Sequence, residues 1–226
     1  MIAVVTGPSR GIGRATALVL AEKGFSLALL GRPSGLLEDT LAEVRRRGAH
    51  AEAFPCELRN PEEIKAAAGR VLGSLGVPRV LVNNAGIVHR AAIEDMTLAE
   101  WDEQLDVNVR APFLLSQAFL PEMRKRKIGR IIHVASISST IGSPMASAYC
   151  ASKWALLGFM KSLAEEISGS GVVTLAVLPG SVDTAMLAGS GFSPRMTAED
   201  VARTIGFYAL EATAAHNGGV VEMFGT

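Results

Sequence analysis

Short runs of β-branched and aliphatic residues alternate along the chain with longer stretches whose apolar positions recur every three or four residues. Ile2–Thr6, Ser26–Leu30, Ala51–Pro55, Val80–Asn83, Arg130–Ser136, Val172–Leu178 and Val220–Glu222 each read as a strand. Between them, patterns such as Ile12, Ala15, Leu18, Val19 and Leu36, Leu37, Leu41, Val44 predict helices. Asn60-Pro61-Glu62-Glu63 and Thr97-Leu98-Ala99-Glu100 mark helix starts, the second as a capping box. Strands alternating with helices imply βαβ units joined by right-handed crossovers. The expected fold is α/β: one doubly wound, mostly seven-stranded parallel sheet with helices on both faces. No linker, repeat or composition shift divides the chain, so residues 1–226 are expected to form a single domain.

In such a sheet, ligands bind beyond the carboxyl ends of the strands. Those ends carry Thr6-Gly7, Gly31-Arg32, Glu57, Asn83-Asn84-Ala85-Gly86, Ser136 and Pro179-Gly180. The first strand runs through Thr6-Gly7-Pro8-Ser9-Arg10-Gly11-Ile12-Gly13 into a helix. Glycines there let backbone approach a pyrophosphate, and the helix N-terminus offers free N–H groups and positive potential. Where an NAD-type site would place a carboxylate for the ribose 2′-hydroxyl, the chain has Gly31-Arg32. The guanidinium of Arg32, with Arg10 from the turn, suits a 2′-phosphate. NADP(H) is therefore favoured, with NAD(H) as the alternative; the plain reading makes both arginines solvated surface charges.

Tyr149 and Lys153 stand at i and i+4, on one face of a helix. A phenol has a pKa near 10, and an ammonium beside it is expected to favour the phenolate. Ser136 lies thirteen residues earlier, where its hydroxyl would donate to a substrate carbonyl and a developing alkoxide. No Gly-x-Ser-x-Gly surrounds it, which speaks against a hydrolase nucleophile. Asn108 interrupts the apolar helix Leu105-Asp106-Val107-Asn108-Val109, either as an exposed residue or as an internal side chain bonded to backbone or water at a kink.

Composition narrows the classes further. Of 226 residues, 49% are hydrophobic and 19% charged, which excludes a disordered chain and suits a sheet buried on both faces. The 22 basic and 22 acidic side chains balance, so no global field draws in nucleic acid. Cys56 and Cys150 cannot build a disulfide scaffold. No apolar run reaches membrane-helix length and Met1 leads straight into a strand, so a cytoplasmic protein is expected. His50, His89, His133 and His216 show no metal-ligand spacing, and no metal is expected. The runs Arg45-Arg46-Arg47 and Arg124-Lys125-Arg126-Lys127 fall near helix C-termini, where cations suit the macrodipole.

Together these residues resemble the short-chain dehydrogenase/reductase superfamily. Thr6-Gly7-x3-Gly11-x-Gly13, Asn83-Asn84-Ala85-Gly86, Ser136, Tyr149-x3-Lys153 and Pro179-Gly180-Ser181-Val182-Asp183-Thr184 occur in the family's order across nearly the whole chain. The resemblance implies a Rossmann-type fold and a catalytic set of Asn108, Ser136, Tyr149 and Lys153, with the thirteen-residue spacing selecting Ser136 over Ser138. It implies cofactor contacts from Gly7, Ser9, Arg10, Gly11, Ile12, Gly13, Arg32, Glu57, Leu58, Asn84, Ala85, Gly86, Tyr149, Lys153, Pro179, Gly180, Val182 and Thr184. The Gly31-Arg32 pair resembles the NADP(H)-preferring branch. Glu57 departs from the family's usual Asp at the adenine contact, and Ala135 and Ser139 replace a frequent Ser and Gly. The short segment from Thr184 to Thr197 implies a small lid and an open pocket.

The implied activity is an oxidoreductase of CH–OH groups, a carbonyl reductase similar to 3-oxoacyl-carrier-protein reductases. Its partners would be a small carbonyl or alcohol substrate, acyl thioesters included. A non-catalytic dinucleotide-binding regulator, or a dehydratase or epimerase on the same fold, are the rival readings. Phe113, Leu114, Leu115, Phe119 on one helix and Trp154, Leu156, Leu157, Phe159, Met160, Leu163 on another are apolar beyond one stripe. A homo-oligomer, tetramer or dimer, is expected to bury the surplus, unless the domain's own core takes it.

Overall fold

The computed structural model describes residues 1–225 and builds the chain around one parallel sheet in the order β3-β2-β1-β4-β5-β6-β7. Its strands are β1 (Ile2–Thr6), β2 (Ser26–Gly31), β3 (Ala51–Pro55), β4 (Val80–Asn83), β5 (Gly129–Val134), β6 (Val172–Pro179) and β7 (Gly219–Met223). The helices between them are α1 (Gly11–Glu22), α2 (Gly35–Arg46), α3 (Pro61–Ser74), α4 (Leu98–Leu105), α5 (Ala111–Arg126), α6 (Ser147–Glu166) and α7 (Ala198–Glu211). The chain winds outward from β1 in one direction and from β4 in the other, so the crevice above this pair is the switch point.

Aliphatic side chains on alternate faces of each central strand build two cores. Val5, Leu27, Leu29 and Val177 meet Leu18, Leu37 and Ile205 from α1, α2 and α7. Val4, Leu30, Leu81 and Ile131 meet Ile64, Leu115, Phe119 and Leu163 from α3, α5 and α6. Each fully buried Leu or Phe contributes about 1.5–3 kcal/mol. The expected helix starts hold: the Asn60 side chain accepts from Glu62 and Glu63, and Thr97 and Glu100 close a reciprocal capping box.

Four strands differ from the sequence reading, β6 by running one residue further to Pro179. β5 stops at Val134, before Ser136, because the Ser136 hydroxyl accepts the Ser138 amide at 3.1 Å and opens a tight turn over Ile137–Ser139. β2 runs one residue further, through Gly31, and β7 spans Gly219–Met223. The exposed reading of Asn108 is also overturned. That residue is fully buried in a one-turn π-helix, Asp106–Arg110, which widens the join between α4 and α5. Much of the apolar surplus on the two long helices is used internally, since Leu115, Phe119, Leu156, Met160 and Leu163 are buried, while Phe113 and Trp154 stay exposed.

One buried side chain makes stability depend on pH. His133 in β5 has no exposed surface and packs edge-on against Phe159 at 5.7 Å, and burial together with the Lys153 charge pushes its pKa down to about 3. An unfolded chain takes up that proton near pH 6.5, so stability is lost as pH falls from there toward the folded value, by up to about 1.4 kcal/mol per pH unit. Urea unfolding of His133→Asn should therefore show a flatter pH profile than wild type below pH 6.5; an unchanged profile contradicts the assignment.

Candidate active site

The crevice is organised by the turn after β1. Gly7 and Gly11 adopt the left-handed φ values of +63° and +54° that turn the chain into α1. A Cβ on Gly13 would run into the Gly7 carbonyl and the Asn84 amide nitrogen, so glycine is required where the helix crosses the turn. Asn84 locks the turn to the end of β4: its side-chain amide donates to the Thr6 carbonyl at 2.9 Å and the Gly7 carbonyl at 3.3 Å. The Thr6 hydroxyl in turn accepts the Asn84 and Ala85 amides at 3.0 and 2.9 Å. Thr6 was not singled out from the sequence as a binding residue, yet it joins the two strand ends at the switch point.

Across the turn lies the segment after β6. Pro179 ends that strand, the Gly180 amide donates to the Met223 carbonyl at 2.8 Å, and Val182 is buried in an isolated parallel bridge to Met196. Thr184 stands close to Gly11, whose missing Cβ would sit 3.2 Å from the Thr184 methyl. Half-buried Ser9 and Ile12 lie on the turn, with exposed Arg10 as the residue preceding α1. Arg32 is exposed at the end of β2 and its charge acts on Glu57. Leu58 is buried beside Glu57.

Glu57 is less free than the sequence implied. Its carboxylate accepts the Arg59 backbone amide at 3.2 Å and the Arg59 guanidinium at 3.1 Å, and that guanidinium bond, ahead of all else, holds the carboxyl below its usual range. Arg59 also pairs with Glu103 on α4 at 3.1 Å, so this edge of the crevice is tied to the far side of β4.

The expected catalytic residues converge from three elements. Lys153, buried in α6, donates to the Val134 carbonyl at 3.0 Å and stands 5.6 Å from the centre of the Tyr149 ring. Asn108 accepts the Ile87 amide at 2.9 Å and donates to the Ile87 carbonyl at 3.0 Å and to the Ser152 hydroxyl at 2.9 Å. Ser152 passes the link on to the Tyr149 carbonyl at 2.7 Å. Asn108 thus ties the segment after β4 to the helix that carries Tyr149 and Lys153. A Cβ on Gly86 would fill the gap between Asn108 Oδ1 and Lys153 Nζ, at 3.3 and 3.5 Å. Ser152 sits inside the Tyr-x3-Lys spacing as an unread position, and the sequence gave no signal for it.

Burial dominates the ionisation of this cluster. Burial raises the Tyr149 pKa, opposed by the Ser136 hydroxyl and the charge of Arg90. The Lys153 ammonium donates to β5, and burial lowers its own pKa to about 8. Arg90 was not picked out from the sequence, since a basic loop residue carries no periodicity. Cys56 and Cys150 are both free and buried, with burial pushing the Cys56 thiol up to about 11. Among the described residues, no cluster of His, Cys, Asp and Glu has the arrangement of a metal site, and no helix is long and apolar enough to cross a membrane.

The chain is similar to known proteins in sequence and in fold. The sequence profile of the short chain dehydrogenase family matches residues 1–191. A 3-oxoacyl-[acyl-carrier-protein] reductase from Synechocystis sp. is 35% identical over 225 residues, covering 95% of this chain and 91% of the relative. Nodulation protein G from Rhizobium meliloti is 39% identical over 184 residues, 81% of this chain and 74% of that protein. Among solved structures, acetoin dehydrogenase from Salmonella typhimurium superposes with a TM-score of 0.90 at 30% identity, over 99% of this chain and 94% of that one. A metagenomic short-chain oxidoreductase in complex with NADP gives 0.89 at 36% identity, over 100% and 97%. On sequence and fold alike, the chain belongs to the short chain dehydrogenase family of oxidoreductases.

Proposed function

We propose that the protein is an NADP(H)-dependent carbonyl reductase, interconverting a ketone and a secondary alcohol, and that residues 1–226 act as one domain. The observation that carries this reading is the convergence of Ser136, Tyr149, Lys153 and Asn108 beside a glycine turn at one switch point. A nicotinamide dinucleotide fits this crevice: Gly7, Gly11, Gly13 and Gly86 leave backbone where any Cβ would intrude, and the turn presents the start of α1. Bound there, the cofactor supplies or takes up the hydride.

Every other step falls to the chain's own groups. The α1 N-terminus and the Gly7–Gly13 turn receive the pyrophosphate, and Arg32 with Arg10 receives a 2′-phosphate. Val182 and Thr184 hold the nicotinamide end. Ser136 donates to the substrate oxygen, and Tyr149 supplies or removes the proton there. Burial disfavours the Tyr149 phenolate, and the Ser136 hydroxyl and the Arg90 charge oppose that effect. Lys153 orders the ribose side and Asn108 fixes the backbone on which the proton path depends. We further propose a homo-oligomer built on the exposed Phe113 and Trp154 faces of α5 and α6.

The direct test is cofactor consumption at 340 nm with a panel of ketones, acetoacetyl thioesters included, using both cofactors. Reduction with NADPH is expected; a protein that binds NADPH tightly and consumes none with any ketone is the regulator instead. Tyr149→Phe should cut turnover more than tenfold while leaving NADPH affinity within a few-fold; retention of over a tenth of the rate contradicts the proton-donor role. Arg32→Ala should weaken NADPH by about 1.5–3 kcal/mol and leave NADH nearly unchanged. Equal losses for both cofactors contradict the 2′-phosphate contact. Light scattering should give a mass that is a multiple of 23.7 kDa, and a monomer with full activity contradicts the oligomer.

A further inference from the structure

The segment after β4 carries a guanidinium at the mouth of the site that has no acidic partner among the described residues. Its backbone is fixed on both sides of Arg90. Ile87 exchanges two hydrogen bonds with the Asn108 side chain, and the Ala91 amide donates to the Met145 carbonyl at 3.0 Å, four residues before Tyr149. From this position Arg90 Nη2 reaches the Met186 carbonyl at 3.3 Å, in the turn Ala185–Leu187 that follows β6. Arg90 therefore links the segment after β4 to the turn after β6, next to the residue that bonds the loop leading to Tyr149.

Its charge is felt at the reacting group, where it pulls the Tyr149 pKa down against burial. Glu103, the acid that His89 contacts, is already engaged: it accepts from His89 at 2.8 Å and from Arg59 at 3.1 Å. Among the described residues, no carboxylate forms an ion pair with Arg90. One carbonyl uses one of the five N–H donors that a guanidinium offers, and the remaining fork matches two oxygens of an oxyanion.

We propose that Arg90 is a specificity-determining residue that binds the carboxylate of a compact oxo acid and so holds the ketone against Ser136 and Tyr149. The inference rests on the ketone-reductase reading and narrows it. A guanidinium fixed between the segment paired with the Met145 loop and the turn after β6 reaches an oxyanion only a few bonds from the carbonyl. A free oxo carboxylate meets that condition, whereas a carrier-borne thioester puts its phosphate at the far end of a long arm. Ile141 and Met145 on the loop before α6, and Met186 on the turn after β6, are exposed and give an aliphatic body apolar surface to lie on. Pairing with the substrate also neutralises Arg90, which leaves the Tyr149 proton in place for transfer to the ketone oxygen.

The test is calorimetric titration of 4-oxopentanoate and its methyl ester into wild type, Arg90→Gln and Arg90→Lys, with and without NADPH, alongside NADPH consumption. In wild type the acid should bind about tenfold or more tightly than the ester. Arg90→Gln should lose that preference without weakening the ester, Arg90→Lys should restore part of it, and the loss should appear in KM for the acid more than in kcat. Equal binding of acid and ester by wild type, absence of binding included, overturns the proposal, as does an unchanged preference in Arg90→Gln. The two readings fail separately. Arg90-dependent binding of the acid without NADPH consumption leaves the anion site standing and removes the reductase, while indifferent reduction of acid and ester does the reverse.

Discussion

The architecture of the site depends on one set of hydrogen bonds, those that join the end of β1 to the end of β4 through Thr6 and Asn84. These strands are neighbours only because the winding direction reverses between them, and their ends would otherwise splay apart into two loops. The Asn84 side chain satisfies the Thr6 and Gly7 carbonyls, and the Thr6 hydroxyl satisfies the Asn84 and Ala85 amides. Four polar backbone groups in a partly buried crevice are thereby paired, each of which left alone would cost about 1–3 kcal/mol. The shape of the glycine turn and the path of the chain toward Gly86 both follow from this lock.

A second device carries the same order to the reacting groups. Asn108 stands in a π-turn, where the extra residue in the helix brings its side chain inward. It bonds both polar groups of Ile87 and the Ser152 hydroxyl, so the segment after β4 and the helix of Tyr149 and Lys153 move as one piece. Lys153 is held from the other side by the Val134 carbonyl of β5. Each catalytic candidate is thus set by a strand end or a helix already fixed by core packing, an arrangement suited to holding reacting atoms in register.

Much of this was legible in the sequence, for reasons that differ by residue. The strands are continuous aliphatic runs because both faces of the sheet are covered, and the glycines of the first turn sit where only their backbone fits. Asn108 announced itself as a polar residue in an apolar helix, although the pattern alone left it open whether the side chain faced out or in. Partners that depend on three-dimensional proximity were not legible. Nothing in the chain order says that Glu57 is taken up by Arg59, that Ser152 relays the Asn108 contact, or that Lys153 donates to the end of β5. Arg90 is the clearest case, one basic residue in a loop whose meaning comes from the carbonyl and the tyrosine that the fold places around it.

The central claim is that these residues hold a nicotinamide ring and a carbonyl face to face for direct hydride transfer. It is tested most directly with NADPH deuterated at C4, prepared as each of the two C4 epimers, and a ketone that the enzyme reduces. Mass spectrometry of the alcohol should find one deuterium at the carbinol carbon from one epimer and none from the other. An unlabelled alcohol from both epimers, or label from both alike, would contradict the account.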